Sequence, residues 1–227
     1  MIRAVIFDMF ETLITHYHNQ GSLYFGSQMA MDAGIPEERF QSVWRPSEYD
    51  RTVGRVTLEQ ILEQILRVNQ CYSEDILNKI VGKRIAAKEE CFRHIHPEII
   101  PMLTELRRRG LLVGLISNCF SEEAEVIRRS ELFTYFDDVY LSCEQGIQKP
   151  DEEIYKRCVD SFAVKPEECV YVGDGGSNEL ETARRLGMRA VQATWYLQDG
   201  TGQPTGRKYD FPQAVRPLEI IDYVDMI

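Results

Sequence analysis

Carboxylates follow two apolar segments of this sequence, each at the point where a buried strand would end. The first segment, Ala4–Phe7, is rich in β-branched residues and stops at Asp8. The second, Cys169–Val172, is followed by Gly173 and then Asp174. In open α/β sheets, ligands bind just beyond the carboxyl ends of the strands. Two carboxylates at that edge repel each other unless they share a proton or a cation lies between them. The pattern therefore predicts metal-assisted chemistry.

Other polar residues follow predicted strands in the same way: Thr12, Ser117, Asn118, Lys149 and Glu179. Taken singly, each has an ordinary explanation, because Ser-Asn pairs often form turns and loop lysines are usually solvated. The glycines beside Asp174 do not complete a dinucleotide-binding fingerprint. The order of these residues along alternating strands instead suggests one site. It would combine a nucleophile, hydrogen-bond donors, a cation and a metal-binding carboxylate.

The elements that must position these residues alternate between helix and strand from Pro97 onward. This alternation predicts an α/β fold with a doubly wound, Rossmann-like parallel sheet. Residues from about 22 to 92 instead have helical spacing, with Thr57 as the N-cap of one helix. We therefore predict a core formed by residues 1–14 and 95–227 and a helical insertion at residues 15–94. The stretch 199–207 is rich in Gly, Thr and Pro and is predicted to be a loop.

The composition and charge exclude several classes of protein. The 227 residues are 44% hydrophobic and 27% charged, which is typical of a globular protein with one large core and a smaller unit. The net charge of −10 argues against general binding to nucleic acid or to anionic membranes. No apolar run approaches the length of a membrane span, and the six cysteines form no Cys-x-x-Cys pair. We expect a cytoplasmic protein without structural zinc.

Four segments of the chain resemble, in order, the motifs of the haloacid dehalogenase-like (HAD) superfamily. They are Phe7–Leu13, Leu115–Asn118, Lys149–Tyr155 and Val172–Glu179. The resemblance covers essentially the whole chain, and the helical insertion takes the place of the family's cap, between the first and second motifs. It implies a hydrolase, and we expect its substrate to be a small phosphorylated metabolite.

The resemblance also implies a nucleophile and a metal site. Asp8 would attack the substrate and form a covalent aspartyl intermediate. Mg²⁺, which prefers oxygen ligands, would be held by Asp8, the backbone carbonyl of Phe10 and Asp174. A backbone amide near Phe10 would contact the phosphoryl group.

Five further roles are implied by the same matching positions. Lys149 would place a positive charge against the nucleophile and the phosphoryl oxygens. Ser117 and the backbone amide near Asn118 would donate hydrogen bonds to those oxygens. Thr12 would support the loop after the nucleophile, and Glu179 would orient metal-bound water without binding the metal itself.

The chain departs from the family's phosphatase pattern at Phe10. Phosphatases of the family usually carry a second aspartate there, which protonates the leaving oxygen and later activates water. Loss of a positioned acid–base group typically costs about 10²–10⁴-fold in rate. Glu11, His16 or His18 could substitute, although solvent-facing positions near the cap explain these three residues more simply.

Two departures point in opposite directions and leave three hypotheses open. An aromatic residue at position 10 resembles 2-haloacid dehalogenases, in which halide leaves without a proton. Asp174 resembles the metal-dependent phosphatases, because dehalogenases work without metal. We favour a phosphohydrolase that is slow or restricted to activated leaving groups. The alternatives are a dehalogenase-like hydrolase and a non-catalytic protein that binds a phosphate ligand.

Several other side chains are candidates for contact with the substrate. In the cap these are Arg39, Trp44, Arg45, Tyr49 and Arg51, of which Trp44 is better explained as part of the cap's core. Trp195 and Tyr196 follow the last predicted strand, where they either wall the crevice or cover the edge of the sheet.

Overall fold

The computed structural model describes residues 1–16, 24–197 and 205–225. Its strands are β1 (Ala4–Phe7), β2 (Leu112–Ser117), β3 (Asp138–Leu141), β4 (Cys169–Gly173), β5 (Arg189–Ala193) and β6 (Gln213–Ala214). They form one sheet in the order β3-β2-β1-β4-β5-β6. Each neighbouring pair is parallel.

Helices occupy most of the remaining described chain. Those between β1 and β2 are α1 (Gly26–Ala33), α2 (Glu37–Trp44), α3 (Glu48–Thr52), α4 (Leu58–Val68), α5 (Glu74–Arg93) and α6 (Ile99–Arg108). Those after β2 are α7 (Ser121–Arg129), α8 (Ser142–Gln145), α9 (Glu152–Ser161), α10 (Glu179–Arg185) and α11 (Ile220–Asp225). Within the described ranges, no helix is both long and apolar enough to cross a membrane.

The side chains of β1 alternate between two hydrophobic layers, one on each face of the sheet. Val5 and Phe7 pack into the layer that α6, α7 and α11 cover. Ala4 and Ile6 pack into the layer that α9 and α10 cover. Burial on both faces explains why this strand is apolar at every position. The predicted doubly wound α/β fold is confirmed.

The strand order reverses between β1 and β4. From β1 the chain builds β2 and β3 on one side, and it then crosses to build β4, β5 and β6 on the other. Such a reversal leaves a crevice at the carboxyl ends of the two central strands, which is where open α/β sheets bind ligands. Asp8 and Asp174 come directly after these two strands.

Helices α1–α5, here called the helical unit, have a hydrophobic cluster of their own. Met29, Phe40, Trp44, Leu62 and Ile80 are among its buried members. The predicted N-cap is confirmed, because the Thr57 side chain accepts a hydrogen bond from the backbone N–H of Gln60. That the helical unit acts as a cap, with the predicted boundaries 15 and 94, stays a prediction.

The structure differs from the sequence-based expectation in three places. The short helix α8 lies between β3 and Lys149, so Lys149 does not directly follow a strand. The alternation of elements also predicts a helix over residues 178–186, but α10 begins at Glu179, because Asn178 has a left-handed φ of 52°. The two-residue strand β6 was not predicted. His18 and most of the predicted loop 199–207 lie outside the described residues.

Candidate active site

The ends of β1 and β4 bring two predicted site residues together. Phe7 pairs with Val172 across the two strands, and the backbone N–H of Asp8 donates to the carbonyl of Val172 at 2.9 Å. Asp8 and Asp174, each only 6% exposed, therefore face the same crevice. The predicted juxtaposition of the two acids is confirmed.

Glu179 joins these two acids to form a cluster of three carboxylates. One oxygen from each of Asp8, Asp174 and Glu179 lies within 4.8 Å of the others. Burial raises the pKa of Asp8 to about 8, although Lys149 acts in the opposite direction. Burial and then the nearby Glu179 raise the pKa of Asp174 to about 6. The cluster concentrates negative charge in a way that favours a bound cation.

Lys149 is the cation that the structure places among these acids. Its Nζ lies 2.5 Å from Asp8 Oδ1 and 2.6 Å from Glu179 Oε2. Burial alone would lower the pKa of Lys149, but Asp8 and Glu179 outweigh it and raise that pKa above its usual value. The lysine therefore carries a fixed positive charge against the predicted nucleophile.

Glu179 is held by three donors and by close packing. Its Oε2 accepts a hydrogen bond from Tyr171 as well as from Lys149, and its Oε1 accepts one from the backbone N–H of Gly175. A Cβ at Gly173 would lie 2.0 Å from Glu179 Oε1. Only glycine leaves room for the carboxylate at that point. The role of Tyr171 was missed, because a tyrosine within an apolar strand gives no sign of where its hydroxyl points.

Asn118 ties Lys149 to the end of β2. Its Oδ1 accepts a hydrogen bond from the backbone N–H of Lys149 at 2.8 Å, and its Nδ2 donates to the carbonyl of Lys149 at 3.0 Å. The same Nδ2 lies 3.3 Å from Ser177 Oγ, in the loop after Asp174. This side chain thus links three of the segments that carry site residues.

Ser117 and Thr12 are fully buried next to the site. Neither hydroxyl oxygen has a hydrogen-bond partner among the described residues. An unpaired buried hydroxyl is costly, and neither residue is among those that line the cavity beside the carboxylates. Their predicted roles toward substrate and loop stay predictions.

A cavity of about 810 Å³ adjoins the three carboxylates. Phe10 lines it and stacks on His16, with ring centroids 4.5 Å apart. Glu11 and His16 also line the cavity, but other groups engage both. Glu11 accepts from Thr15 Oγ1 at 2.6 Å, and His16 Nε2 lies 2.9 Å from Lys88 Nζ. Burial and then Lys88 lower the pKa of His16, which favours neutral imidazole.

Trp195 and Tyr196 brace the loop that follows Asp8. Trp195 Nε1 donates to the carbonyl of Thr12 at 2.7 Å, and Tyr196 Oη lies 3.2 Å from the carbonyl of Leu13. The structure thus gives these aromatic residues a positioning contact that the sequence did not indicate.

Of the cap residues considered as substrate contacts, Arg45 and Tyr49 line the cavity. Trp44 is buried in the core of the helical unit, as expected. Arg39 is exposed and outside the cavity lining. Arg51 is buried against Trp44 and Phe120.

Comparison with known sequences gives one family. The model of the haloacid dehalogenase-like hydrolases matches residues 2–187. A glyceraldehyde 3-phosphate phosphatase from Methanopyrus kandleri is 27% identical over 236 residues, which cover 99% of this chain and 97% of that protein. Several other curated phosphatases match over less than half of their own lengths.

Comparison with solved structures gives the same fold. A 2-haloacid dehalogenase from Pseudomonas syringae has a TM-score of 0.73 and 20% identity, covering 99% of both chains. A HAD family enzyme from Bacteroides thetaiotaomicron, solved in complex with magnesium and inorganic phosphate, has a TM-score of 0.64 and 20% identity. That alignment covers 92% of this chain and 98% of the other. At such identities, the likeness shows the fold alone.

Proposed function

This chain belongs to the haloacid dehalogenase-like hydrolase family, and we propose that it is a metal-dependent phosphatase of small phosphorylated metabolites. The observation that carries the proposal is the meeting of Asp8, Asp174 and Lys149 at the reversal of strand order. The phosphatase matched along nearly all of this chain supports the same class of substrate. The site of action that we propose is the cytoplasm, and we propose no nucleic-acid partner.

In this proposal Asp8 is the nucleophile. One of its carboxylate oxygens attacks phosphorus, and the bond from phosphorus to the leaving oxygen breaks. Water then hydrolyses the aspartyl phosphate, which releases phosphate and returns the carboxylate. Lys149, at 2.5 Å from Asp8, stabilises the negative charge that gathers on the phosphoryl oxygens.

The charges at the site fit a divalent cation. Three carboxylates surround one ammonium group, so the cluster has excess negative charge when all of them are ionised. We propose that Asp8, Asp174 and the carbonyl of Phe10 hold Mg²⁺. When bound, the ion offsets the repulsion between the nucleophile and the anionic substrate. One like-charge pair at about 4 Å costs roughly 4 kcal/mol at an effective dielectric near 20.

The remaining site residues act on the substrate or hold others in place. We propose that the unpaired Ser117 hydroxyl donates to a phosphoryl oxygen, together with backbone amides near Phe10 and Asn118. Thr12 supports the loop after Asp8. Both oxygens of Glu179 already accept hydrogen bonds, which supports a role outside the direct metal ligands.

Phe10 restricts the leaving groups that this enzyme can use. Glu11 and His16 are the described side chains nearest in sequence that could donate a proton, and both are engaged by neighbours. We therefore propose activated substrates, such as acyl or aryl phosphates, whose leaving group departs without a proton. On other esters, the general acid usually found at position 10 raises the reaction rate by about 10²–10⁴-fold.

Removal of the metal tests this function. With acetyl phosphate as substrate, EDTA and Asp174→Ala should each lower kcat/KM by more than about 10²-fold, because a bound metal contributes several kcal/mol of charge stabilisation. Asp160→Ala, a change at an exposed acid, is the matched control. Turnover that resists both EDTA and Asp174→Ala would contradict the proposal.

A dehalogenase-like activity is the second candidate, favoured by the aromatic residue at position 10 and by the fold shared with a 2-haloacid dehalogenase. It predicts release of chloride from 2-chloropropionate in the presence of EDTA. No release at high enzyme concentration would dismiss it.

A further inference from the structure

A second chamber adjoins the active-site cavity beneath the helical unit. Its volume is about 390 Å³. Five residues line both spaces: His16, Arg45, Glu48, Phe120 and Glu123. The side chamber therefore lies next to the cavity in which a substrate at Asp8 would be held.

The lining of the side chamber carries more positive than negative charge. Four cationic side chains line it, Arg45, Arg51, Arg84 and Lys88, against two acidic ones, Glu48 and Glu123. Burial is deepest for three of the cations, which are between 3% and 6% exposed: Arg51, Arg84 and Lys88. Buried charge is costly unless it is paired, so the chamber favours an anion.

Two of the three buried cations, Arg84 and Lys88, already have carboxylate partners. Lys88 Nζ lies 2.6 Å from Glu123 Oε1 and 2.9 Å from His16 Nε2. Arg84 donates to Glu122 Oε1 at 3.2 Å and to the carbonyl of Tyr24 at 2.9 Å. Glu122 does not line the chamber.

Among the three buried cations of the lining, Arg51 is the one that forms no ion pair with the described residues. Its guanidinium lies between the rings of Trp44 and Phe120, 3.7 and 4.2 Å from their centroids. Nε donates to Ser47 Oγ at 3.0 Å, and Nη2 lies 3.5 Å from the carbonyl of Trp44. Nη1 is buried and has no acceptor among the described residues. A guanidinium fixed by two rings, with one donor nitrogen unused, is suited to bind an oxyanion.

We propose that the side chamber binds a carboxylate on the leaving group of the substrate, with Arg51 as its principal donor. This inference rests on the proposed phosphatase function and narrows its substrate class to phosphorylated carboxylates. Glu48 and Glu123 line the same chamber and disfavour a doubly charged group such as a second phosphate. Lys88 and Arg84 supply positive potential without giving up their present partners.

Matched aryl phosphates test the proposal, because they do not need a general acid. The pairs are 3- and 4-carboxyphenyl phosphate, each compared with its methyl ester, with p-nitrophenyl phosphate as the reference. For at least one isomer, the free carboxylate should have a kcat/KM at least about 10-fold above that of its ester, the value of one hydrogen bond to a charged group. In Arg51→Met this preference, taken as the ratio of the kcat/KM values for the free carboxylate and its ester, should fall to about one, whatever the overall rate of the variant.

The exposed Arg39→Met removes the same charge from the helical unit and is the control. It should keep the preference. Arg51→Lys retains the charge but not the planar donor, and it should give an intermediate preference. If Arg51→Met does not fold, the inference is still tested by Arg51→Lys and by the comparison of carboxylates with methyl esters in the wild type.

Three results would overturn the inference while leaving the phosphatase in place. They are equal or better turnover of the methyl esters, a carboxylate preference that survives Arg51→Met, and a preference for a phenylene bisphosphate over the carboxylates. If p-nitrophenyl phosphate and acetyl phosphate are not hydrolysed either, the proposed function fails and this inference fails with it.

Discussion

At the scale of single residues, the site depends on one ammonium group that forms ion pairs with two carboxylates. Lys149 contacts both Asp8 and Glu179, while Tyr171 adds a further donor to Glu179. Asn118 fixes the backbone of Lys149 from the neighbouring loop. The position of the ammonium therefore depends on contacts from several strand ends.

We propose that the residue at position 10 determines which leaving groups can depart. Phe10→Asp should raise kcat/KM on alkyl phosphates by about 10²–10⁴-fold, because it restores an acid–base group next to the nucleophile. Acetyl phosphate should change much less, since its leaving group needs no proton. The measurement is phosphate release across esters of increasing leaving-group pKa.

Phe10→Asn is the matched control, because it removes the ring without supplying a proton. An equal gain from both variants would show that relief of crowding against His16, and not acid catalysis, is responsible. No gain from Phe10→Asp would contradict the view that the remaining machinery is complete.

Sequence alone could predict the acids, the lysine and the amide at this site, because each lies in one of four motifs that occur in order along the chain. It could not predict Tyr171, Trp195 or Tyr196. The Tyr171 hydroxyl reaches Glu179 in α10, and the polar atoms of Trp195 and Tyr196 reach a loop 183 residues away in the chain. Only the packed structure defines these contacts. Gly173 is explained only once Glu179 is seen to occupy the space of its missing side chain.

At the scale of elements, buried ion pairs join the helical unit to the sheet domain. Lys88 of α5 pairs with Glu123 of α7, and Arg84 pairs with Glu122. Burial alone would raise the pKa of Glu123, but Lys88 and Arg84 outweigh it and lower that pKa to about 2. These pairs lie at the wall of the side chamber, so they also position its lining.

Glu123→Gln should destabilise the fold by about 3 kcal/mol near neutral pH, because it leaves Lys88 without its carboxylate partner. The pKa of Glu123 is lower in the folded state than in the unfolded state. Its contribution to the free energy of unfolding is therefore complete above the unfolded-state pKa and is lost as the pH falls toward the folded-state pKa. The difference in free energy of unfolding between wild type and variant should decrease by about 0.8 kcal/mol between about pH 7 and about pH 4. Urea unfolding at each pH measures this difference.

Glu125→Gln, on the exposed side of the same helix, is the control and should cost no more than about 0.5 kcal/mol. If the loss in free energy of unfolding caused by Glu123→Gln stays constant or increases toward acid pH, the proposed contribution of the Lys88–Glu123 ion pair is wrong.

The helices and main strands were largely predictable, because their apolar spacing is strong and local. Elements α8 and β6 were not, since four and two residues respectively are too few to show a period. The ion pairs between α5 and α7 could not be predicted either. They join charged residues that are far apart in the chain, and charged residues on helices are usually solvated.

At the scale of the whole molecule, the reversal of strand order creates the crevice, and Arg45 and Tyr49 of the helical unit line the cavity there. The order of motifs along the chain predicted the fold and the crevice, because parallel α/β sheets place strand ends at one edge. The side chamber was beyond prediction, since its lining comes from the helical unit and from α7 together. Under our proposal, substrate choice depends on how these two parts of the molecule meet.

The most direct test of the central claim is to trap the phosphorylated enzyme. Wild-type protein and Asp8→Asn are incubated with acetyl phosphate and Mg²⁺ and quenched in acid, and the phosphoryl group is located by peptide mass spectrometry. We expect it on Asp8 in the wild type, with turnover reduced by at least about 10³-fold in Asp8→Asn and unchanged in the exposed control Asp160→Asn. A phosphoryl group on another residue, or undiminished turnover by Asp8→Asn, would contradict the account.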